Sequence, residues 1–240
     1  MTGWRRRGLT VAVVGASACL LWWGTANLST TTRQGVNFQV FSRRVPLHVK
    51  AIAFLHRHYE YRLLAQEITR GLRSDHERVL ALFRWTRQRI RPTPKDWPVI
   101  DDHVLDIIIR GHGLPDQMAD VFTTLATYAR LPAFWTPGLV SVSFVRVDGR
   151  WAMFDVANGL VFADAQGRLI DVGTLLADRS LVDGIAGSLT PGGHDYAWHV
   201  DRLKPFRVPA VLRARMHMPL PRLVAEGRRV LGLLPRTPQR

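Results

Sequence analysis

The stretch GHGLPDQMA, residues 111–119, decides the fold of this chain. Its glycines break a short apolar helix that the sequence predicts at 103–109. Pro115 then suits the first position of a new helix, where a missing N–H costs nothing and the fixed φ helps. The buried stripe of that helix is predicted by apolar residues at helical spacing: Met118, Val121, Phe122, Leu125 and Tyr128.

Beyond Pro132 the hydrophobic period changes to two, which predicts β-strands. Apolar and serine residues alternate from Val140 to Phe144. In the stretch DGRWAMFD, residues 148–155, Asp148-Gly149 is a hairpin turn that leads into a strand ending at Asp155. Further turns at Asn158-Gly159 and Gln166-Gly167 surround a third strand from Leu160 to Ala163.

Two more helices are predicted before residue 111. One spans about 47–70 as an amphipathic helix, and the other follows the capping-box signature Ser74-Asp75-His76-Glu77. The apolar positions of the first are Ile52, Leu55, Tyr59, Leu63 and Ile68; those of the second are Val79, Leu82, Phe83, Thr86 and Ile90. Helices followed by hairpin-connected strands predict an α+β fold with the N-terminal helices packed on an antiparallel sheet.

These stretches resemble the core of bacterial transglutaminase-like proteins, which have a papain-like fold. In that family the pattern Gly-x-Cys-Asp-Gln-x-Ala opens a helix, a His opens a strand, and an Asp ends the next strand. The matching parts here are Gly113-x-Pro115-Asp116-Gln117 and Gly149-Arg150-Trp151-x-x-Phe154-Asp155. The resemblance covers roughly residues 75–180 and implies a transglutaminase-like, papain-like domain, which we place at 47–190.

The chain departs from the family at two of its three catalytic positions. Pro115 stands at the Cys position and Val140 at the His position, so only Asp155 survives. The family's chemistry needs a thiolate nucleophile, an imidazole that activates it and an acid that orients the imidazole. The single cysteine, Cys19, lies far away in an apolar N-terminal stretch. The resemblance therefore implies a pseudoenzyme of the transglutaminase-like and cysteine peptidase superfamily, with no catalytic residues.

Four residues near the degenerate motif are candidates for a retained binding cleft: His112, Asp116, Gln117 and Trp151. An alternative is a hydrolase or transferase whose site is rebuilt from Asp155 and His112. Asp155 also has a structural interpretation, because an acid that ends a strand can bond the backbone amides of the next turn. We find no metal-ligand spacing and expect neither a metal nor a cofactor.

The N-terminal region predicts a membrane segment. No charged residue occurs between Gly8 and Thr32, and residues 9–26 are almost wholly apolar, about the length of a membrane-spanning helix. Residues 1–28 are therefore a signal-anchor or a cleavable signal peptide, and Arg5 to Arg7 favour placing the body outside the cytoplasm. We expect a single-pass protein of the inner or plasma membrane, with a linker at 29–46.

The C-terminal region is strongly basic. The chain has a net charge of +14, and from Arg202 onward ten Lys or Arg residues stand against one acid, Glu226. We assign 191–240 to a basic C-terminal extension that contacts anionic lipid or an acidic polymer, or else is a solvated tail. Nucleic-acid binding is not expected, because few aromatic residues are interleaved with the arginines. No particular protein partner is indicated.

The resemblance also suggests a biological setting. Proteins with the Cys-Asp-Gln version of the motif are often associated with bacterial surface-polysaccharide production. The sequence therefore predicts a membrane-anchored, non-catalytic binding or scaffolding component of cell-envelope or exopolysaccharide biology.

Overall fold

The computed structural model describes residues 12–13, 15–17, 19, 22–24 and 27–230. The predicted apolar segment 9–26 lies partly outside these residues, and the arginines before it lie wholly outside. In the described part of the chain, no helix is both long enough and apolar enough to cross a membrane. The signal-anchor or signal peptide therefore stays a prediction.

The structure is an α+β fold with antiparallel sheets. Its helices within 27–230 are α1 (Leu47–Ile68), α2 (Asp75–Arg89), α3 (Val104–Arg110), α4 (Pro115–Tyr128), α5 (Val172–Ala177), α6 (Arg179–Ala186), α7 (Tyr196–Asp201) and α8 (Pro219–Val230), with short 3₁₀ helices at Pro191–Gly193 and Arg213–His217. Its strands are β1 (Ser29–Val36), β2 (Gln39–Pro46), β3 (Arg91–Pro92), β4 (Ile100–Asp101), β5 (His112–Gly113), β6 (Ala133–Thr136), β7 (Val142–Val147), β8 (Arg150–Asp155) and β9 (Leu160–Val161).

The central sheet is antiparallel with the strand order β6-β7-β8-β9. The predicted hairpin is confirmed: β7 and β8 pair from Ser143 opposite Phe154 to Val147 opposite Arg150, across the turn at Asp148-Gly149. Gly149 has a φ of 83°, which a glycine adopts without strain. Because of this register, the start of β7 and the end of β8 lie at the same edge of the sheet.

Helices cover both faces of this sheet. On one face, Val145, Ala152 and Phe154 belong to a core cluster that includes Phe122 of α4 and residues of α1, α2 and α3. On the other face, Phe144 and Met153 belong to a second cluster with residues of α5, α6 and α7. Successive residues of β7 and β8 are buried in opposite clusters, because side chains alternate between the two faces of a strand and both faces are covered.

The region predicted as a linker, 29–46, is a β-hairpin in the structure. Strands β1 and β2 pair along their whole length, and β1 also pairs with β4 through Gly35 and Val36. The threonine and valine residues of this stretch have high β-propensity. The strands were not predicted because the stretch has no clear apolar face.

Residues after 190 also belong to the folded core, which differs from the predicted domain end at 190. Tyr196 and Val200 of α7 are buried in the second core cluster. Ala214, in the 3₁₀ helix before α8, is buried as well. Over the residues that the structure describes, the basic side chains of this region therefore belong to a packed segment.

The predicted helix at 47–70 is confirmed as α1, but its orientation differs from the expected one. Tyr61 and Ala65 are its buried residues. The apolar residues chosen from the sequence, Ile52, Leu55, Tyr59 and Leu63, are exposed. The helix carries apolar residues on two faces, and periodicity alone does not show which face meets the core.

Candidate functional site

The start of α4 is where the sequence resemblance places the expected nucleophile position. Pro115 is the first residue of α4, as predicted, and it is exposed. Its ring carries no nucleophilic atom and no N–H. The α4 N-terminus has a partial positive charge that would favour a thiolate, but this position has no group to activate.

The two polar residues that follow Pro115 serve the helix start. The carboxylate of Asp116 accepts a hydrogen bond from the backbone N–H of Gln117, at 2.9 Å. The buried Gln117 side chain donates through Nε2 to the Ile100 carbonyl oxygen at 2.6 Å and accepts at Oε1 from the Leu114 N–H at 3.0 Å. Asp116 therefore caps the first turn of α4 and Gln117 ties that turn to β4, which explains both residues without a ligand.

His112 lies in β5, and its contacts are local. Its Nδ1 is 2.9 Å from the carbonyl oxygen of Arg110, and its ring centroid is 4.9 Å from that of Trp97. The Arg110 side chain is itself bound to Asp102, whose pKa is raised by burial despite the nearby guanidinium. The imidazole is thus part of a polar cluster at the end of α3.

The surviving acid, Asp155, is fully buried at the end of β8. Its Oδ1 accepts from the Asn158 backbone N–H at 2.9 Å, and its Oδ2 accepts from Asn158 Nδ2 and from the Tyr196 hydroxyl, both at 2.7 Å. Burial, and then the negative charge of Asp155, raise the pKa of Tyr196, so its hydroxyl remains a proton donor. Tyr196 and Asn158 are thus the side-chain hydrogen-bond partners of Asp155 in this structure.

The turn after Asp155 is fixed from outside the sheet by Arg87 of α2. Its Nη1 donates to the carbonyl oxygens of Val156 and Ala157 at 3.2 and 3.4 Å. Gly159 has a φ of +77°, and a Cβ built there would lie 2.0 Å from that Nη1. The positive φ therefore favours a glycine in this turn, and any side chain there would have to displace the Arg87 guanidinium.

Val140, the vacant His position, is buried in the second core cluster, on the side of the sheet covered by α5 to α7. Asp155 faces the same side, since it bonds Tyr196 of α7. Helix α4 packs on the other face. His112 and Asp155 lie in separate hydrogen-bond clusters, so the described contacts do not join the pair that a rebuilt hydrolase site requires.

The candidate cleft residues do not come together in either of two cavities beside the central sheet. Trp151 is half-buried against Phe134, at a centroid distance of 5.2 Å, and it lines a cavity of about 560 Å³ with Arg150 and Arg168. Val140 lines a different cavity of about 390 Å³. His112, Asp116 and Gln117 line neither of these two.

The serines near the vacant His position do not supply a nucleophile. Ser141 and Ser143 are both buried, and the Ser143 hydroxyl has no hydrogen-bond partner. A catalytic serine needs an adjacent base within hydrogen-bond reach. Among residues 27–230 and the shorter described pieces before them, no group of three metal-ligand side chains is close enough to hold a metal ion.

Two polar residues that sequence reasoning missed are central to this region. Tyr196 binds Asp155 from a position 41 residues further along the chain, and no local pattern links the two.

Asp120, inside the buried face of α4, accepts from Trp135 Nε1 at 3.2 Å and lies 3.6 Å from Arg213. Burial raises the pKa of Asp120, opposed by Arg213 and Trp135. A charged residue within an apolar stripe was the available signal for Asp120.

Comparisons with known proteins add little. No protein-family profile and no curated protein matches the chain. Among solved structures, it is similar to a candidate cysteine protease from Cytophaga hutchinsonii, with 18% identity over 47% of this chain and 45% of that chain and a TM-score of 0.36. It is also similar to a candidate protease from Parabacteroides distasonis, with 12% identity over 54% of this chain and 36% of that chain and a TM-score of 0.32. The chain spans less than half the length of either, and such partial likeness assigns no activity.

Proposed function

We propose that this protein is a membrane-anchored, non-catalytic binding or scaffolding protein built on a transglutaminase-like, papain-like domain. The observation that carries the proposal is the environment of Asp155. Tyr196 and Asn158 bond both of its carboxylate oxygens inside the core. An acid whose two oxygens are bonded in this way has a structural role. Pro115 and Val140 supply neither a thiol nor an imidazole.

Loss of the nucleophile and of the base removes the family's chemistry as a unit, and a single remaining acid restores little of it. The binding function that we propose uses surfaces of the domain instead of a catalytic triad. The predicted apolar segment 9–26 supplies the anchor, and the basic residues after Arg202 supply attraction to anionic lipid or an acidic polymer.

The experiment that tests the absence of catalysis is a turnover assay on the purified full chain. Glutamine-donor and lysine-acceptor peptides, and a peptide library with cleavable amides, are incubated with the wild type and analysed by mass spectrometry. We expect no isopeptide and no cleaved amide above the buffer control. Turnover by the wild type that disappears in Asp155→Asn or in His112→Ala would overturn the proposal in favour of a rebuilt site.

A role in surface-polysaccharide production is supported by the sequence resemblance alone. Deletion of the gene, followed by measurement of the amount and chain length of surface polymer, tests this part. We expect the amount or the chain length of the polymer to change in the deletion strain. A gene copy that carries Asp155→Asn is expected to restore the wild-type polymer only if that variant still folds. Unchanged polymer in amount and length removes the suggestion and leaves the non-catalytic assignment intact.

A further inference from the structure

The face of α1 that points away from the core carries a row of large apolar side chains. Ile52, Leu55, Tyr59 and Leu63 are 56%, 44%, 55% and 59% exposed. They recur every three or four residues, so they form one continuous row over about three helical turns. We call these four residues the outer stripe of α1.

The outer stripe is unusual because the opposite face of α1 is already packed in the core. Tyr61 and Ala65 are fully buried there, and the Tyr61 hydroxyl accepts from the Leu105 backbone N–H at 2.9 Å. A helix that packs one face on a core normally has a polar outer face. A contiguous exposed apolar row on a folded domain therefore marks a surface that meets another apolar phase.

The charges around the outer stripe favour an anionic partner. The chain has a net charge of +14, and from Ser29 to Arg70 it has seven basic residues and two acidic ones, Glu60 and Glu67, which are exposed on α1. Arg62 is exposed on α1 three residues after Tyr59, which places it beside the stripe, and Arg70 is exposed in the turn just after α1 ends at Ile68. Their long apolar stems can lie along such a surface while the guanidinium groups reach anionic headgroups.

One described residue of the N-terminal region, Trp22, contacts the same face of α1. The ring centroid of Trp22 is 4.8 Å from that of His48, the second residue of α1. His48 precedes Ile52 by four residues and Leu55 by seven, so it lies on the same face. Trp22 and Trp23 are 57% and 71% exposed, and tryptophan and tyrosine are the residues preferred at the boundary between a bilayer and water.

We propose that the outer stripe of α1 lies on an anionic lipid bilayer with the helix axis parallel to the membrane, its apolar side chains in the interfacial zone and Arg62 and Arg70 on lipid phosphates. Helices that bind in this way are buried by about 5–10 Å at the boundary of headgroups and acyl chains. The inference deepens the membrane-anchored part of the proposed function, on which it rests.

The test uses the full chain with Cys19→Ser and one new cysteine that carries a fluorophore. Leu63→Cys places the label on the outer stripe, and Leu139→Cys is the matched control, since Leu139 is 70% exposed on the loop before β7. The protein is reconstituted into vesicles of phosphatidylcholine and phosphatidylglycerol whose acyl chains are brominated. We expect lipid quenching to be about threefold stronger at 63 than at 139, because only the first label reaches the interfacial zone. Leu55→Cys repeats the measurement at a second stripe position.

The other outcomes separate this inference from the anchor itself. A label at 63 that aqueous iodide quenches as strongly as the control, in protein that still floats with the vesicles, overturns the lipid contact and leaves the anchor standing. A label shielded from iodide but not quenched by brominated lipid shows that protein covers the stripe, which also overturns it. Protein that fails to float contradicts both the anchor and the lipid contact.

Discussion

Gln117 shows how a residue of the family motif is used at the scale of a single side chain. Both ends of its buried amide are occupied, by the Leu114 N–H and by the Ile100 carbonyl oxygen. Gly113 makes room for it, since a Cβ at that glycine would lie 3.2 Å from the Gln117 Cβ. Gln117 therefore has a structural role at the start of α4.

The first prediction concerns this amide. Gln117→Ala leaves the Leu114 N–H and the Ile100 carbonyl without these partners, so we expect a loss of about 1–3 kcal/mol in the free energy of unfolding. Urea denaturation followed by circular dichroism measures it. Gln66→Ala, on the exposed side of α1, is the control and is expected to change the stability by less than about 0.5 kcal/mol. Equal stabilities of the two variants would show that the Gln117 bonds contribute nothing.

The second prediction concerns His217, which lies against Tyr61 at a centroid distance of 5.5 Å. Burial, followed by Arg213 and other nearby basic groups, lowers the pKa of His217 to about 4. An unfolded histidine titrates near 6.5. The folded state therefore resists protonation, so its stability is complete above about pH 6.5, falls as the pH drops toward 4 and then levels off.

The expected loss of stability is about 3 kcal/mol, because each tenfold change in proton affinity between the unfolded and folded states corresponds to about 1.4 kcal/mol. The measurement is the free energy of unfolding at several pH values between 4 and 7.5. His217→Gln is expected to flatten the slope over this range, whereas His56→Gln, at an exposed position on α1, is expected to keep it. Parallel curves for the wild type and His217→Gln would contradict the assignment.

At the scale of the elements, the turn between β8 and β9 depends on α2. Arg87 crosses from α2 to the carbonyl oxygens of Val156 and Ala157, and Gly159 leaves space for its guanidinium. This contact ties the end of the hairpin that carries Asp155 to the helical layer.

The third prediction tests that contact with two glycines of similar conformation. Gly159→Ala and Gly149→Ala both place a Cβ at positive φ, +77° and +83°, but only the first meets Arg87. We expect Gly159→Ala to destabilise the protein by about 1–3 kcal/mol more than Gly149→Ala, because displacing the guanidinium breaks hydrogen bonds to a charged donor. Thermal unfolding by calorimetry measures both. Equal losses would mean that backbone strain alone decides the effect.

The elements differ in how well the sequence predicts them. The capping box at Ser74 and Glu77, Pro115 at the start of α4 and the turn at Asp148-Gly149 all follow from local signals, and the structure has them as predicted. The hairpin at 29–46 and the orientation of α1 were missed. Both depend on tertiary contacts, which a local pattern does not contain.

At the scale of the whole molecule, the candidate site illustrates the same limit. The sequence alone shows that Pro115 and Val140 carry neither a thiol nor an imidazole, because these positions are found by their spacing within the motif. The partner of Asp155 could not, because Tyr196 comes from α7, beyond the predicted end of the domain at 190. A domain boundary drawn from composition placed this structural residue in an extension.

The molecule as a whole is a sheet covered by helices on both faces, with Asp155 buried on the side that α7 covers. Helix α1 belongs to the opposite layer and turns its outer stripe away from the sheet. The proposed binding surface and the surroundings of Asp155 are therefore separate features of the fold. A change in one is expected to leave the other intact.

The central claim is that the retained acid stabilises the fold and does not orient an imidazole. A double-mutant cycle between Asp155→Ala and Tyr196→Phe, measured as free energies of unfolding in urea, tests it most directly. We predict a coupling energy of about 1–3 kcal/mol between the two side chains, since their hydrogen bond is buried. Losses that add within about 0.5 kcal/mol would contradict the account, because Asp155 would then be free of Tyr196 and available for another role.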